Sequence, residues 1–321
     1  MTGPPRFSIV IPTYNGEPFL AETLDSVLRQ TVADWQVVIV DDGSTDGSAA
    51  VAERYVDERI RLFRQANAGV SAARQNGLDR CAGRFVTFLD QDDRLVPDAL
   101  ARFAAVMEGG NPPAVAYGDR VYIDPDGNRF GSETGPIFQP RPSGDVFTTC
   151  LTSQLMTTPG QTCISARHLR TIGRIPDTGE ISDDWALWCL LASLGEFRFL
   201  DGGPILEYRW HAANKIHRFM DRTDDIHIRE QTRSMDLVFN HAICRRKAGD
   251  LDLGLYKRRR QAHCYSMKGD RYLREREWRT ERRYLRQAIR LDWRKPRPYI
   301  VYVLSLAQWL PKAVQRLMGE Y

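Results

Sequence analysis

The stretch Trp35-Gln-Val-Val-Ile-Val-Asp-Asp-Gly-Ser44 decides how the rest of the chain is read. Its apolar run is unbroken from Val37 to Val40, the pattern of a strand covered on both faces, as in a parallel sheet. Two carboxylates and a glycine follow at the strand's carboxyl end. On the N-terminal side, Phe7-Ser-Ile-Val-Ile11 is a second strand stopped by Pro12. Pro18 suits a first helical position, and Leu20, Leu24, Val27 and Leu28 then form one apolar helix face. On the C-terminal side, Asp46 and Ser48 open a helix, Ile60–Phe63 is a strand and Val70–Arg80 a small-residue helix. Arg84–Leu89 is a fourth strand, followed by a helix from Pro97 to Met107. Strand and helix alternating at this pace predict right-handed βαβ units and a mostly parallel, Rossmann-like sheet flanked by helices. In such sheets ligands bind beyond the carboxyl ends of the strands, where the Asp and Gly clusters fall.

Farther on, Ala114–Ile123 and the turn Pro125-Asp-Gly-Asn128 read as a strand and hairpin, and residues 130–160 as loops over the site. Asp183–Leu194 reads as an amphipathic helix, and Phe197–Leu200 and Ile205–Trp210 as two strands. From Ile216 onward the pattern is helical and Arg-rich. Residues 257–291 read as a helix pair with Ala262, Tyr265, Gly269, Tyr284, Leu285 and Ala288 at packing positions.

The chain has 321 residues, 42% hydrophobic and 27% charged, which excludes disordered, collagen-like and disulfide-miniprotein classes. No apolar run reaches the roughly 18 residues that a membrane span needs. Met1–Arg6 does not resemble a secretory signal. The six cysteines form no Cys-x-x-Cys pair and read as buried free thiols, so a cytoplasmic location is expected.

Net charge is +4, but it is divided unevenly. Residues 1–214 carry 19 Lys and Arg against 28 Asp and Glu, whereas residues 215–321 carry 26 against 13. A boundary is therefore expected near 214, between an α/β domain (1–214) and a basic helical region (215–321). The acidic part suits a cation that holds a phosphate ligand, and the basic part suits an anionic surface. Tyr299–Leu310, flanked by Arg294, Lys295, Arg297 and Lys312, is too short to span a bilayer. It reads either as a segment lying on a membrane surface or as a helix docked on the protein. Exposed aromatics are little interleaved with basic residues, so nucleic acid is not an expected partner.

Four groups of acidic or imidazole residues can carry chemistry. Asp41 and Asp42 can accept hydrogen bonds from a nucleobase, with Gly43 allowing a close turn; turn chemistry and helix capping by Ser44, Asp46 and Ser48 explain them as well. Asp90-Gln-Asp-Asp93 ends the fourth strand, and alternate residues of a strand face one way, so Asp90 and Asp92 can share a ligand. Three acids in four positions repel one another unless a divalent cation binds there, and such a cation neutralises a departing diphosphate. Asp183 and Asp184, after Ser182, fit either a helix N-terminus or a general base for a hydroxyl. His211 is either an isolated polar group or a neutral imidazole completing a metal shell. Trp188 reads as core, whereas Trp185, beside the acids, can stack on a sugar. No Gly-x-Ser-x-Gly, Walker loop or Rossmann glycine fingerprint is present, which argues against a hydrolase elbow, a P-loop and a dehydrogenase.

Read together, Ser8-Ile-Val-Ile-Pro-Thr-Tyr-Asn15, Asp41-Asp-Gly-Ser-Thr-Asp46, Asn67-Ala-Gly-Val-Ser-Ala-Ala-Arg74, Asp90-Gln-Asp-Asp93 and Asp183-Asp-Trp-Ala-Leu-Trp188 resemble the family 2 glycosyltransferases of GT-A fold. The resemblance covers about residues 6–212. It implies that Pro12, Thr13, Tyr14, Asn15, Asp41, Asp42, Asn67 and Arg74 line the nucleotide, with Asp90 near the ribose or sugar. It further implies that Asp92 and His211 bind Mn2+ or Mg2+ and that Asp184 is the catalytic base, with Asp183 beside it and Trp185 on the acceptor side. Two positions depart from the family pattern: Ala73-Arg-Gln-Asn-Gly77 replaces the usual Ala-Arg-Asn-x-Gly, and Asp183-Asp184 replaces Glu-Asp.

The implied activity is inverting transfer of a sugar from a nucleoside-diphosphate sugar, UDP-linked first among the candidates. The acceptor is a hydroxyl of a saccharide or glycolipid, in cell-surface polysaccharide or glycolipid synthesis. Peripheral contact with the inner membrane face is an accompanying expectation. The rivals are a nucleotidyltransferase and a non-enzymatic binding protein acting through its basic tail.

Overall fold

The computed structural model describes residues 3–130, 141–178, 183–214, 226–274, 278–294, 298 and 302. In chain order the first half comprises β1 (Phe7–Thr13), α1 (Leu20–Leu28), β2 (Trp35–Asp41), α2 (Ser48–Glu53), β3 (Ile60–Arg64), α3 (Val70–Leu78), β4 (Phe85–Phe88), β5 (Arg94–Leu95) and α4 (Ala99–Met107). The second set is β6 (Val115–Ile123), β7 (Arg129–Phe130), α5 (Phe147–Thr152), a 3-10 turn (Pro159–Gln161), β8 (Thr162–Ser165), α6 (Ala166–Ile172), α7 (Asp183–Ala192) and β9 (Phe197–Arg209). Among the described residues the helices that follow are α8 (Ile226–Asn240), α9 (Ala242–Ala248), α10 (Leu253–Arg274) and α11 (Trp278–Leu291).

One sheet runs β3-β2-β1-β4-β8-β6-β9-β5, with β7 paired to β6. The α/β class and the helical C-terminal region agree with the sequence reading, but the sheet is mixed. Strands β3, β2, β1 and β4 are parallel, as their βαβ crossovers require. Beyond β4, β8 is antiparallel to both β4 and β6. The sequence reading missed β8 because Thr-Cys-Ile-Ser is only four residues long and follows loop-like sequence. The two strands expected at 197–210 are one, β9. Asp201-Gly-Gly-Pro204 reads as a turn, but Gly202 and Gly203 have φ of 98° and 94° and pass through a bulge instead. There the register against β6 slips between Gly118 and Arg120.

Every residue of β1 is buried, and its alternation divides the core. Ile9 and Ile11 pack with Leu24, Val27 and Phe103 on the α1/α4 side. Val10 faces a second cluster that contains Phe88, Trp185, Trp188, Met235, Val238, Phe239 and Cys264. That cluster joins residues from both sides of position 214, so the basic helices share the core of the α/β part. The expected α10/α11 packing is present: Tyr265 and Tyr284 stack at 6.2 Å, and a Cβ at Gly269 would come 2.7 Å from Leu285 Cδ2. Apart from Tyr302, the segment Tyr299–Leu310 lies outside the described residues, as do residues 131–140 of the expected loops. Among the described residues no helix is long and apolar enough to cross a membrane.

Candidate active site

From β1 the chain steps outward to β2 and β3, then returns to place β4 on the other side of β1. A crevice therefore opens beyond the carboxyl ends of β1 and β4, where the strand order reverses. Pro12 and Thr13 are buried in the last two positions of β1, and Tyr14 beyond them is 47% exposed. The Gln91 side chain brackets Tyr14: Tyr14 N donates to Oε1 at 2.8 Å, and Nε2 donates to the Tyr14 carbonyl at 3.1 Å. Asn15 has φ of 50°, a left-handed conformation that Asn tolerates. It is tied to the β2 turn by Asn15 N to Ser44 Oγ at 3.0 Å and Thr45 N to Asn15 Oδ1 at 2.9 Å.

Asp41 ends β2 and Asp42 follows it, and both are nearly buried. Asp41 Oδ1 accepts from Ser44 N at 2.8 Å, which is turn chemistry. Asp42 holds the loop before α3, accepting from Gln65 Nε2 (2.7 Å), Ala68 N (2.9 Å) and Gly69 N (2.8 Å). This loop carries the exposed Asn67 and crosses Gly43, where an added Cβ would lie 2.9 Å from Asn67 N. With φ of 77° at Gly43 as well, only glycine suits the turn. Tyr14, Asn15 and Asn67 are thus exposed on this side, and Asp42 holds the loop that presents Asn67.

On the other side of β1, Arg74 reaches across from α3. Its guanidinium is nearly buried and forks between two carboxylates: Nη1 donates to Asp184 Oδ1 at 2.8 Å and Nη2 to Asp90 Oδ1 at 3.0 Å. Asp90 Oδ2 accepts from Thr158 Oγ1 at 3.1 Å. Asp184 and Asp90 keep 23% and 29% of their side-chain surface, so each remains open to a ligand. Asp183 opens α7, but its side chain and Ser182 lie outside the described residues.

The acid loop after β4 is joined to the end of β9. Asp92 Oδ2 lies 2.9 Å from His211 Nε2, and Asn214 Nδ2 approaches the same oxygen at 3.4 Å. Phe19 of the β1–α1 connection packs its ring 4.7 Å from that of His211. Beneath them Arg209, fully buried, donates from Nε to the Asp92 carbonyl (2.9 Å). Its Nη1 donates to the carbonyls of Asp124 (3.2 Å) and Pro125 (2.7 Å), and Nη2 to Glu22 Oε2 (2.7 Å). Asp93 is also buried and accepts from Arg209 N at 3.0 Å. Its burial first, then the charges of Asp92 and Asp90, hold its carboxyl well above the usual carboxylate range.

Among the described residues no three His, Cys, Asp or Glu side chains converge as a complete metal cage. Asp92 and His211 nevertheless fit a hard divalent cation, because such ions take one or two protein ligands and complete their shells with phosphate oxygens and water. The pair is joined at 2.9 Å and is partly exposed.

The structure thus brings Arg74, Asp90 and Asp184 into one cluster and Asp92 and His211 into another beside it. One expectation requires correction. Trp185 presents no face to a sugar: it is 1% exposed, donates from Nε1 to the Cys150 carbonyl at 2.8 Å and lies under the Arg260 guanidinium. Helix α7 is not amphipathic as expected: every residue from Trp185 to Ala192 is buried, both tryptophans included. Gln91, Thr158, Arg209 and Asn214 were not singled out in the sequence. Arg209 carried a signal, being a charged residue inside an otherwise strand-like run next to His211, whereas the other three become visible only through their partners.

Residues 8–166 match the model of glycosyl transferase family 2. The chain is 46% identical over 130 residues to the uncharacterized glycosyltransferase EpsJ of Bacillus subtilis, covering 38% of this chain and 38% of that protein. It is 40% identical over 101 residues to the putative teichuronic acid biosynthesis glycosyltransferase TuaG of the same organism, covering 30% and 40%. The matched region thus spans less than half the length of these relatives. Two solved structures share the fold. One is S. aureus TarS 1-349 in complex with UDP, with TM-score 0.60, 18% identity, and 89% and 81% of the two chains covered. The other is the mannosyltransferase PcManGT of Pyrobaculum calidifontis in complex with GDP-Man and Mn2+, with TM-score 0.59, 17% identity, and 99% and 84% covered. Over residues 8–166 the chain belongs to glycosyltransferase family 2.

Proposed function

We propose that the protein transfers a sugar, with inversion, from a nucleoside-diphosphate sugar to a hydroxyl of a saccharide or glycolipid acceptor during polysaccharide or glycolipid synthesis. The observation that carries this reading is the placement of Arg74, Asp90 and Asp184 beside Asp92 and His211 at the reversal of strand order. The nucleotide belongs on the β1/β2 side, where Tyr14 and Asn67 are exposed. The solved relatives, bound to UDP, UDP-GlcNAc, or GDP-Man with Mn2+, define the donors to test, UDP-sugars first.

Asp92 and His211 would hold Mn2+ or Mg2+, which supplies positive charge to the leaving diphosphate. Asp184 takes the proton of the acceptor hydroxyl as that oxygen attacks the anomeric carbon from the face opposite the diphosphate. Arg74 fixes the orientation of Asp184 and Asp90. The C–O bond to the acceptor forms as the bond to the diphosphate oxygen breaks, and the configuration inverts.

The test is product formation with a panel of sugar nucleotides, Mn2+ and candidate acceptors, with the anomeric configuration read by NMR. Loss of turnover in Asp184→Asn with the donor still bound supports the assignment, and full turnover by that variant refutes it. A cytoplasmic location and contact of the basic region 215–321 with anionic lipid belong to the same proposal, supported by its excess of Lys and Arg. Failure of the full chain to sediment with anionic vesicles at low salt refutes the lipid contact.

A further inference from the structure

On the far side of the crevice from Tyr14, the β6–β7–β9 edge carries four aromatic rings. Tyr122 is central: its ring lies 5.8 Å from Trp210 and 5.8 Å from Tyr208, both edge-on, and 5.9 Å from Phe130. Trp210 is 39% exposed and Phe130 43%, both large apolar groups at a surface. Trp210 immediately precedes His211, and its backbone N donates to the Ile123 carbonyl at 2.8 Å, which fixes it to β6.

This cluster is linked to the candidate base by a chain of direct contacts. Asp184 and Asp90 share Arg74, and Asp90 is held by Thr158, which opens the turn containing Gln161. Gln161 Oε1 accepts from the buried Arg120 at 3.2 Å, and Arg120 Nη2 donates to the Tyr122 hydroxyl at 2.7 Å. The Arg120 guanidinium also lies over the rings of Tyr122 and Tyr208, at 5.1 and 5.6 Å. Tyr122 is therefore held by a hydrogen bond from Arg120 and by edge-on contacts with Trp210 and Tyr208.

We propose that Trp210 and Tyr122, with Phe130 at the rim, form the binding platform for the acceptor saccharide; this rests on the transferase reading above. A pyranose has polar hydroxyls around its edge and an apolar face of polarised C–H groups, and the electron-rich face of an aromatic ring matches that face. Rigid aromatics with a few fixed polar groups are a common lining of small-molecule sites. Position decides which sugar is held. The order β2-β1-β4-β8-β6-β9 puts the nucleotide side and the aromatic side on opposite flanks of β4. In this proposal a glycan whose hydroxyl meets Asp184 extends away from the nucleotide toward Trp210. The platform expected at Trp185 is thus supplied by a different tryptophan, 25 positions later in the chain.

Two measurements test this. In the first, saturation-transfer NMR is run on the full chain with methyl β-glucoside, methyl α-mannoside and methyl N-acetyl-β-glucosaminide. Signal is expected in the ring C–H protons of at least one glycoside, falling about fivefold in Trp210→Leu and recovering in part in Trp210→Phe. Absence of signal in the wild type, or an equal signal in Trp210→Leu, overturns the proposal. Should Trp210→Leu not fold, Phe130→Leu carries the same comparison. In the second, steady-state transfer in Trp210→Leu and Tyr122→Leu is expected to raise acceptor KM about tenfold more than donor KM. Equal changes in both constants overturn the platform. A Trp210-dependent NMR signal without turnover of any sugar nucleotide would keep the platform and remove the transferase reading, so the two failures are separable.

Discussion

Arg74 Nη1 lies 2.8 Å from Asp184 Oδ1, although the two residues are 110 positions apart in the chain. The same guanidinium reaches Asp90, so one nearly buried cation joins the start of α7 to the end of β4. Hydrogen bonds to charged partners are worth about 1.5–3 kcal/mol, so losing both displaces the candidate base and leaves two carboxylates facing each other. Arg74→Gln is therefore expected to lower kcat/KM about 100-fold, whereas Arg74→Lys restores charge but not the fork and recovers only part. A wild-type rate in Arg74→Gln would show that the pair has no role in turnover.

The Asp92–His211 pair predicts a metal requirement. Excess chelator should abolish transfer, and Mn2+ should restore it. His211→Asn, which removes one of two protein donors, is expected to raise the Mn2+ concentration for half-maximal rate about tenfold, and Asp92→Asn more than that. Rates measured across a Mn2+ titration decide this, and an unchanged rate in chelator would rule against the pair as a cation site.

Arg209 is a positioning residue with a large structural role. Replacing it with Met strips partners from the carbonyls of Asp92, Asp124 and Pro125 and from Glu22 Oε2. Leaving such groups unpaired costs about 3 kcal/mol or more, discounted at Glu22 because that side chain is 42% exposed. Urea unfolding should show the loss. Because Arg209 holds the backbone of Asp92, the Mn2+ dependence should weaken in any variant that remains folded.

Helix α3 can bring Arg74 over the site because Gly77, one turn later, lies against β1. A Cβ there would meet Val10 Cγ1 at 2.3 Å, and Val10 is fully buried. Gly77→Val is expected to cost about 1–3 kcal/mol, since overpacking outweighs the small gain in helix propensity. An unfolding midpoint at or above the wild-type value would contradict the close approach.

The thiols predict a pH-dependent reactivity. Burial pushes Cys81 and Cys244 up to about 11, and Cys150, Cys163 and Cys189 higher still. Only the thiolate reacts, so at pH 8 about one Cys81 in a thousand is competent, and its rate should rise about tenfold for each unit of pH. Native labelling at pH 8 should be slow, and denaturant should expose all six cysteines at once. Fast native labelling of several thiols would argue against this core.

The strands β1 to β4 and their helices were legible because unbroken apolar runs and apolar helix faces are local patterns. The motif residues were legible for the same reason, each cluster being contiguous. β8 was missed because four residues carry too little periodicity, and β9 was divided because a double-glycine bulge has the composition of a turn. Trp185 was misjudged because proximity to acids in sequence does not tell which way a helix face turns.

From the residues alone came the α/β class, the acids at the strand ends, the packing of the C-terminal helix pair and the family resemblance. Tertiary structure alone decided that Asp90 and Asp184 share the Arg74 guanidinium, that Arg209 lies beneath the acid loop, and that Trp210 next to His211 is exposed. The physical reason is one of range. Hydrophobic periodicity acts over a few neighbouring residues, whereas Arg74 with Asp184 or Arg209 with Glu22 are partners only once the sheet has formed and buried them together.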